Sequence, residues 1–260
     1  MKALKELLSE LTFTCERGNL EKEITAVVYD SRKIVEGCLF VCIKGANFDG
    51  HQAAAEAAEK KAAAIIVSQE VELPKQSETT LIRVEDTRYA LAFVSAAWFD
   101  HPAKKLTTIG ITGTKGKTTT SLMTAAILNG AGIPCAYIGS NGVMIKDRHI
   151  DTVNTTPESL ELHHYFRLMA DAGVDTVAME VSSQALAHHR VDGIDFEVTA
   201  FLNLSEDHIG EGEHPDFEDY KNAKHRLFVD YQAREMIYNA DDDTSEFMRI
   251  GFGGHQTSYG

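Results

Sequence analysis

The chain has 260 residues, 43% of them hydrophobic and 25% charged, with a formal net charge of −14. That size allows about two domains, each large enough to bury a core. The acidic balance argues against a non-specific nucleic-acid surface, and no apolar run reaches the ~18 residues that a membrane span needs.

Met1 to Cys15 carries charges throughout and no signal-type apolar core. Ile24 to Tyr29 predicts a strand, which runs into Asp30-Ser31-Arg32. Cys38 to Ile43 is a second apolar run, ended by the turn Lys44 to His51. Gln52 to Ala64 is alanine-rich and predicts a helix. Ile65–Val67 and Leu81–Val84 read as short strands, and Thr87–Phe99 as another helix. Asp30-Ser31-Arg32 and the Gly45–Gly50 turn both follow strand ends, where open α/β sheets bind ligands. By spacing alone each reads as a polar turn. The cysteines Cys15, Cys38, Cys42 and Cys135 form no CxxC pair, so buried free thiols are expected rather than a metal site. A reducing cytoplasm is the compartment this implies.

His101-Pro102 with Lys104 and Lys105 reads as a linker, dividing the chain into residues 1–103 and 104–260. Beyond it strands alternate with helices, which implies a mostly parallel sheet. Strands are expected at Leu106–Ile111, Cys135–Ile138, Val174–Val181, Val198–Asn203 and Glu235–Tyr238. Helices are expected at Thr118–Ala131, Pro157–Ala172, Ser183–His189 and Phe217–Tyr231. The fold class is therefore α/β: a small N-terminal α/β domain followed by a second α/β domain with a mostly parallel sheet. Gln256 to Gly260 resembles a strand cut off at a turn, so the second domain is expected to be incomplete and the chain a fragment.

The stretch with the clearest chemistry is Gly113-Thr114-Lys115-Gly116-Lys117-Thr118-Thr119. It joins a predicted strand to a predicted helix, and a helix N-terminus offers backbone N–H groups and a favourable dipole to an anion. The spacing Gly-x-x-Gly-Lys-Thr is shorter than the usual phosphate loop. Lys117 would reach the terminal phosphates, and the Thr118 hydroxyl would hold Mg²⁺. Glu180 ends an apolar strand, where a Mg²⁺-binding acid belongs beside such a loop. His208 follows the next strand; as a lone histidine it is equally a ligand or a structural residue. Thr156 fits a helix N-cap, Pro157 the first helical position and Glu158 the first turn. Lys224, by pattern alone, reads as a surface lysine.

Together these pieces resemble the Mur ligases, and within them the UDP-N-acetylmuramoyl-tripeptide synthetases. The motifs are Asp30-Ser31-Arg32, the Gly113–Thr119 loop, Thr155-Thr156-Pro157, Glu180-Val181-Ser182-Ser183, His189-Arg190-Val191, Asp207-His208 and Ala223-Lys224. The resemblance implies a uridine-binding N-terminal domain, a central ATPase domain and a C-terminal amino-acid-binding domain. It implies that ATP converts a substrate carboxylate to an acyl phosphate, which an amine then attacks. Carried over by position, Ser31 and Asn47 would serve the UDP moiety. Thr155, Thr156, Ser182, His188 and Arg190 would hold the muramoyl-peptide. Gly113, Thr114, Lys115, Gly116, Lys117, Thr118, Thr119 and Asn239 would serve ATP. Thr118, Glu180, His208 and a carbamylated, CO₂-derived Lys224 would serve Mg²⁺. Lys117, Lys224, Glu180 and His208 would carry the chemistry. The substrates implied are UDP-N-acetylmuramoyl-L-alanyl-D-glutamate and a diamino acid. Lys115 in the loop and the segment Glu206 to Pro215 favour L-lysine. A monomer without nucleic-acid or membrane partners is expected. The alternatives are a folylpolyglutamate-synthetase-like ligase and, for the chain taken alone, a module that binds UDP-sugars or nucleotides without turnover.

Overall fold

The computed structural model describes residues 1–260 except Ala46, Asn47, His208, Glu211 and Gln232. It divides into two compact units, Met1–Asp100 and His101–Gly260. Both are α/β, as the alternation of apolar runs and helical stretches predicts.

In the first unit a short β1 (Lys2–Ala3), α1 (Leu4–Leu7), β2 (Thr14–Arg17) and β3 (Glu23–Ile24) precede the main sheet strand β4 (Ala26–Val28). Then follow β5 (Cys38–Val41), α2 (Ala54–Glu59), β6 (Ala64–Val67), β7 (Thr80–Arg83) and α3 (Thr87–Trp98). Strands β4, β5, β6 and β7 pair in parallel, and β2 closes the β7 edge antiparallel. Phe40, Ile65, Val67, Ala54 and Ala57 form the core between sheet and helix. The helix expected over Gln52–Ala64 is shorter than predicted. Lys61 takes φ +59°, a left-handed conformation that ends it, and Ala64 already belongs to β6. Asp86 caps α3, its carboxylate accepting from the N–H groups of Arg88 and Tyr89. Cys38, Cys42 and Cys135 are buried free thiols, but Cys15 lies exposed on the edge strand β2, against expectation.

The second unit opens with β8 (Thr107–Thr112) and α4 (Lys117–Gly130). β9 (Cys135–Gly139), β10 (Gly142–Ile145) and β11 (Arg148–Ile150) come next, then α5 (Ser159–Asp171), β12 (Thr176–Glu180) and α6 (Ser183–Ala187). β13 (Val198–Phe201), α7 (Phe217–Val229), β14 (Glu235–Asn239), α8 (Ser245–Arg249) and β15 (His255–Tyr259) complete it. The sheet order is β11-β10-β9-β12-β8-β13-β14-β15, with β9 through β15 in that order parallel and the β10–β11 hairpin antiparallel. The chain crosses from one side of β8 to the other between β12 and β13. That is the kind of switch point at which open α/β sheets bind ligands. Gly110 lets Phe196 pack flat on β8, because a Cβ there would stand 2.7 Å from the ring. The largest core cluster joins Phe166, Met179, Val181, Phe201, Leu227 and Phe228. Among the described residues no helix is long and apolar enough to cross a membrane.

Candidate functional site

The carboxyl ends of β8, β12 and β13 lie side by side because the strands are parallel and in register. Each contributes one part of a site. From β8 the chain turns through Gly113–Gly116 into α4. Gly116 stands at the helix N-cap with φ +85°, a left-handed position that suits glycine. The N–H groups of the first turn of α4, beginning at Lys117, have no intrahelical acceptors and remain for an anion. Thr119, one position beyond Thr118 in that turn, is exposed.

Lys117 folds back over the loop, its ammonium donating to the carbonyls of Gly113 (2.8 Å) and Thr114 (3.1 Å). Burial lowers its pKa. Lys224 also reaches this loop, from α7. It is 1% exposed, so the surface lysine suggested by pattern is corrected to a buried one. Tyr220, Leu227 and Phe228 on the same helix carry it inward. Its Nζ donates to the Gly113 carbonyl at 3.1 Å and lies 4.5 Å from the centroid of the Tyr220 ring. Burial, and then the neighbouring Lys117, hold its pKa well below that of an ordinary lysine. Two amines therefore share one carbonyl oxygen.

Glu180, the last residue of β12, is 1% exposed. Its Oε2 accepts from the Thr118 hydroxyl at 3.0 Å. Its Oε1 accepts from the Tyr137 hydroxyl at 2.7 Å and from the Ser140 N–H at 2.9 Å. Burial, followed by the hydrogen bond to the carboxylate, raises the Tyr137 pKa, so the phenol stays a donor. Gly139 makes this approach possible, since a Cβ there would fall 2.1 Å from Glu180 Oε1 and 2.3 Å from the Tyr137 hydroxyl. A buried carboxylate hydrogen-bonded to a threonine hydroxyl at a helix N-terminus is a hard oxygen pair that fits Mg²⁺. Among the described residues no cluster of three or more His, Cys, Asp or Glu side chains accompanies it.

Beside Glu180 lies a second polar group. Ser140 and Thr155 share a hydroxyl–hydroxyl contact at 3.1 Å. Thr156 is fully buried, and its hydroxyl donates to the Glu180 carbonyl (2.9 Å) and accepts from the Ser182 N–H (3.1 Å). It is therefore not the N-cap of α5. Glu158 holds that position, with extended backbone angles and no side-chain cap bond, so Pro157 and Glu158 precede the helix. The Thr156 hydroxyl ties the end of β12 to the chain entering α5 instead. Ser182 caps α6 by accepting from the Ala185 N–H at 3.1 Å. Arg190 pairs with Glu158 (2.9 Å) and donates to the Thr156 carbonyl (3.3 Å). His188, half-buried at the end of α6, is followed by His189, whose ring lies 2.6 Å from the Asp192 carboxylate.

Asn239 does not present a free amide. Its Nδ2 donates to the Leu202 carbonyl (2.9 Å), and its Oδ1 accepts from the Asp241 N–H (3.0 Å). Lys115 is exposed, paired with Asp207 at 2.8 Å. Ser31 opens a short helical turn in the first unit, capped by Asp30. Asn47 and His208 lie outside the described residues. Sequence reasoning missed Tyr137, Ser140, Asn203 and Tyr220, all of which touch the loop or Glu180. A tyrosine inside an apolar strand carries no signal that its hydroxyl meets a carboxylate 43 positions away.

Residues 111–258 match the family model described as the Mur ligase middle domain, and residues 23–99 match that described as Mur ligase family, catalytic domain. A Clostridium perfringens protein named UDP-N-acetylmuramoyl-L-alanyl-D-glutamate--2,6-diaminopimelate ligase is 44% identical over 239 residues, 92% of this chain and 48% of that protein. One of the same name from Bacillus licheniformis is 42% identical over 250 residues, 94% of this chain and 50% of that protein. A solved structure of a ligase of that name superposes with a TM-score of 0.82 at 25% identity, over 99% of this chain and 52% of the other. The chain thus spans about half the length of the curated relatives it matches.

Proposed function

The chain belongs to the Mur ligase family, and from that premise we propose that it supplies the uridine- and ATP-binding parts of an amide-forming ligase of peptidoglycan synthesis. The observation that carries this reading is the Thr118–Glu180 contact of 3.0 Å at the N-terminus of α4, with Lys117 beside it. In this reading residues 1–103 bind the UDP moiety through Ser31 and Asn47. Residues 104–260 bind ATP on the Gly113–Thr119 loop, and Asn239, its amide committed to Leu202 and Asp241, has no direct part in that binding. Thr155, Ser182, His188 and Arg190 hold the muramoyl-dipeptide beside the loop, and the fully buried Thr156, assigned to the substrate by resemblance, instead braces the corner that carries them. The dipeptide carboxylate attacks the γ-phosphorus of ATP, ADP leaves, and an amine displaces phosphate from the resulting acyl phosphate.

Thr118, Glu180 and His208 would hold Mg²⁺, which when bound supplies charge neutralisation at the phosphate oxygens. Lys117 leaves the Gly113 and Thr114 carbonyls for the phosphates, so its cation sits where negative charge develops. Lys224 is assigned a carbamate. Burial favours the neutral amine, which can add CO₂ and release a proton, turning a cation into an anionic oxygen donor. Labelled bicarbonate and ¹³C NMR test it: no carbamate carbon that disappears in Lys224→Ala overturns that assignment. The acceptor is a diamino acid. The L-lysine expected from Lys115 and the Glu206–Pro215 segment has no support among the relatives, which are named for 2,6-diaminopimelate, and 2,6-diaminopimelate is the acceptor we assign.

Calorimetry on this chain tests the reading directly. MgADP and UDP-N-acetylmuramoyl-L-alanyl-D-glutamate should each bind, and Lys117→Ala should weaken the first by ~10–100-fold while sparing the second. Binding of neither ligand sinks the proposal.

A further inference from the structure

Lys115 sits at the apex of the phosphate loop, outside any helix or strand, where its N–H and carbonyl have no partner in regular structure. One residue on β13's outgoing turn satisfies both of them. The Asn203 Oδ1 accepts from the Lys115 N–H at 2.9 Å, and the Asn203 Nδ2 donates to the Lys115 carbonyl at 3.1 Å. The Asn203 main-chain carbonyl accepts from the preceding N–H, that of Thr114, at 2.9 Å. Three hydrogen bonds thus run from one residue to two consecutive residues of the loop. The strands are in close contact there: a Cβ on Gly113 would stand 3.0 Å from Leu202 Cβ and 3.3 Å from the Asn203 backbone.

The consequence is a division of labour among the loop's donors. The N–H groups of Thr114 and Lys115 point at Asn203 and are spent before any ligand arrives. The donors that remain for phosphate begin after Lys115, at Gly116 and the first turn of α4. Only a carboxamide performs this clamp. A carboxylate would set an oxygen against the Lys115 carbonyl, and an aliphatic side chain would leave both groups to water and the peptide unheld.

We propose that Asn203 is the positioning residue of the phosphate loop: its carboxamide fixes the Lys115 peptide so that the donors of Gly116 and α4 converge on the nucleotide. This rests on the nucleotide-binding reading of the loop, and its test separates the two. Amide hydrogen exchange on the nucleotide-free chain, followed by NMR, reads the clamp without any ligand. In Asn203→Ala the Lys115 amide should exchange at least tenfold faster than in the wild type, while the Thr114 amide, bonded to a main-chain carbonyl, keeps its protection. Asn203→Asp is isosteric and carries the test if the alanine variant does not fold. It keeps the acceptor but opposes the Lys115 carbonyl, so MgADP affinity should fall at least tenfold, with binding of UDP-N-acetylmuramoyl-L-alanyl-D-glutamate unchanged. Failure of the wild-type chain to bind MgADP would overturn the functional reading and leave the exchange result standing. Unaltered Lys115 exchange in Asn203→Ala, or wild-type MgADP affinity in Asn203→Asp, would overturn the role given to Asn203.

Discussion

Single atoms decide much of this site. Gly139 is the clearest case: with a Cβ 2.1 Å from Glu180 Oε1, Gly139→Ala must turn the carboxylate away from Thr118. The expected outcome is a loss of MgADP affinity of about tenfold or more, with a smaller loss for ADP without Mg²⁺. Equal losses with and without the metal, measured by calorimetry, would refute a metal role for Glu180. His163 on α5 makes a different kind of statement. It is fully buried and neither ring nitrogen has a hydrogen-bond partner, and burial pushes its pKa down to about 4 from 6.5. The unfolded chain therefore binds the proton first. Stability is intact above pH 6.5 and is lost as pH falls toward 4, by about 3 kcal/mol across that window. His163→Leu should flatten this slope in urea titrations at several pH values. It should also add about 1–3 kcal/mol at pH 7 by removing unpaired polar atoms; an unchanged pH slope would show that other groups dominate.

At the scale of elements, the corner where β12, α5 and α6 meet depends on the Thr156 hydroxyl. Thr156→Val keeps the shape but leaves the part-buried Ser182 N–H and the buried Glu180 carbonyl without it. A loss of about 1–3 kcal/mol is expected in denaturant unfolding, with Thr156→Ser recovering most of it. A neutral valine variant would mean that the hydroxyl has no structural part. Sequence pattern foresaw a threonine with work to do here, but assigned it to a cap because Thr-Pro-Glu is how many helices begin. The parallel strands were legible because strands buried on both faces are continuous apolar runs, as in Val177–Met179. The β10–β11 hairpin was not. Its turn is Lys146-Asp147 rather than a glycine-bearing pair, with Lys146 at φ +52°, so the usual hairpin sign is missing. The exposed edge strand β2, Thr-Cys-Glu-Arg, has no apolar face to betray it. The loop and Glu180 were readable because their chemistry is local. Tyr137 and Asn203 were not, because their roles lie in contacts with residues 43 and 88 positions away. Lys224 looked exposed because four carbons of stem reach inward from a helix edge.

For the molecule as a whole, each of the two compact units has its own buried cluster, so each should fold separately. Expressed alone, residues 1–100 should unfold cooperatively and bind a uridine nucleotide; residues 101–260 should bind MgADP and no uridine nucleotide. The reverse pattern, by calorimetry, would exchange the roles assigned to the two units. Strand order has a further consequence in time. β8 is made first in its unit, yet its two neighbours are β12 and β13, and Asn203 must travel back across 88 positions of chain to meet Lys115. Such distant pairings form slowly, since the entropy of closing the loop must be met before any contact rewards it. A nascent chain that has emerged as far as residue 200 holds every glycine of the phosphate loop and lacks the residue that shapes it. Until β13 docks, the Thr114 and Lys115 N–H groups lack the Asn203 acceptors that hold them in the folded chain, and the glycines are a flexible tether.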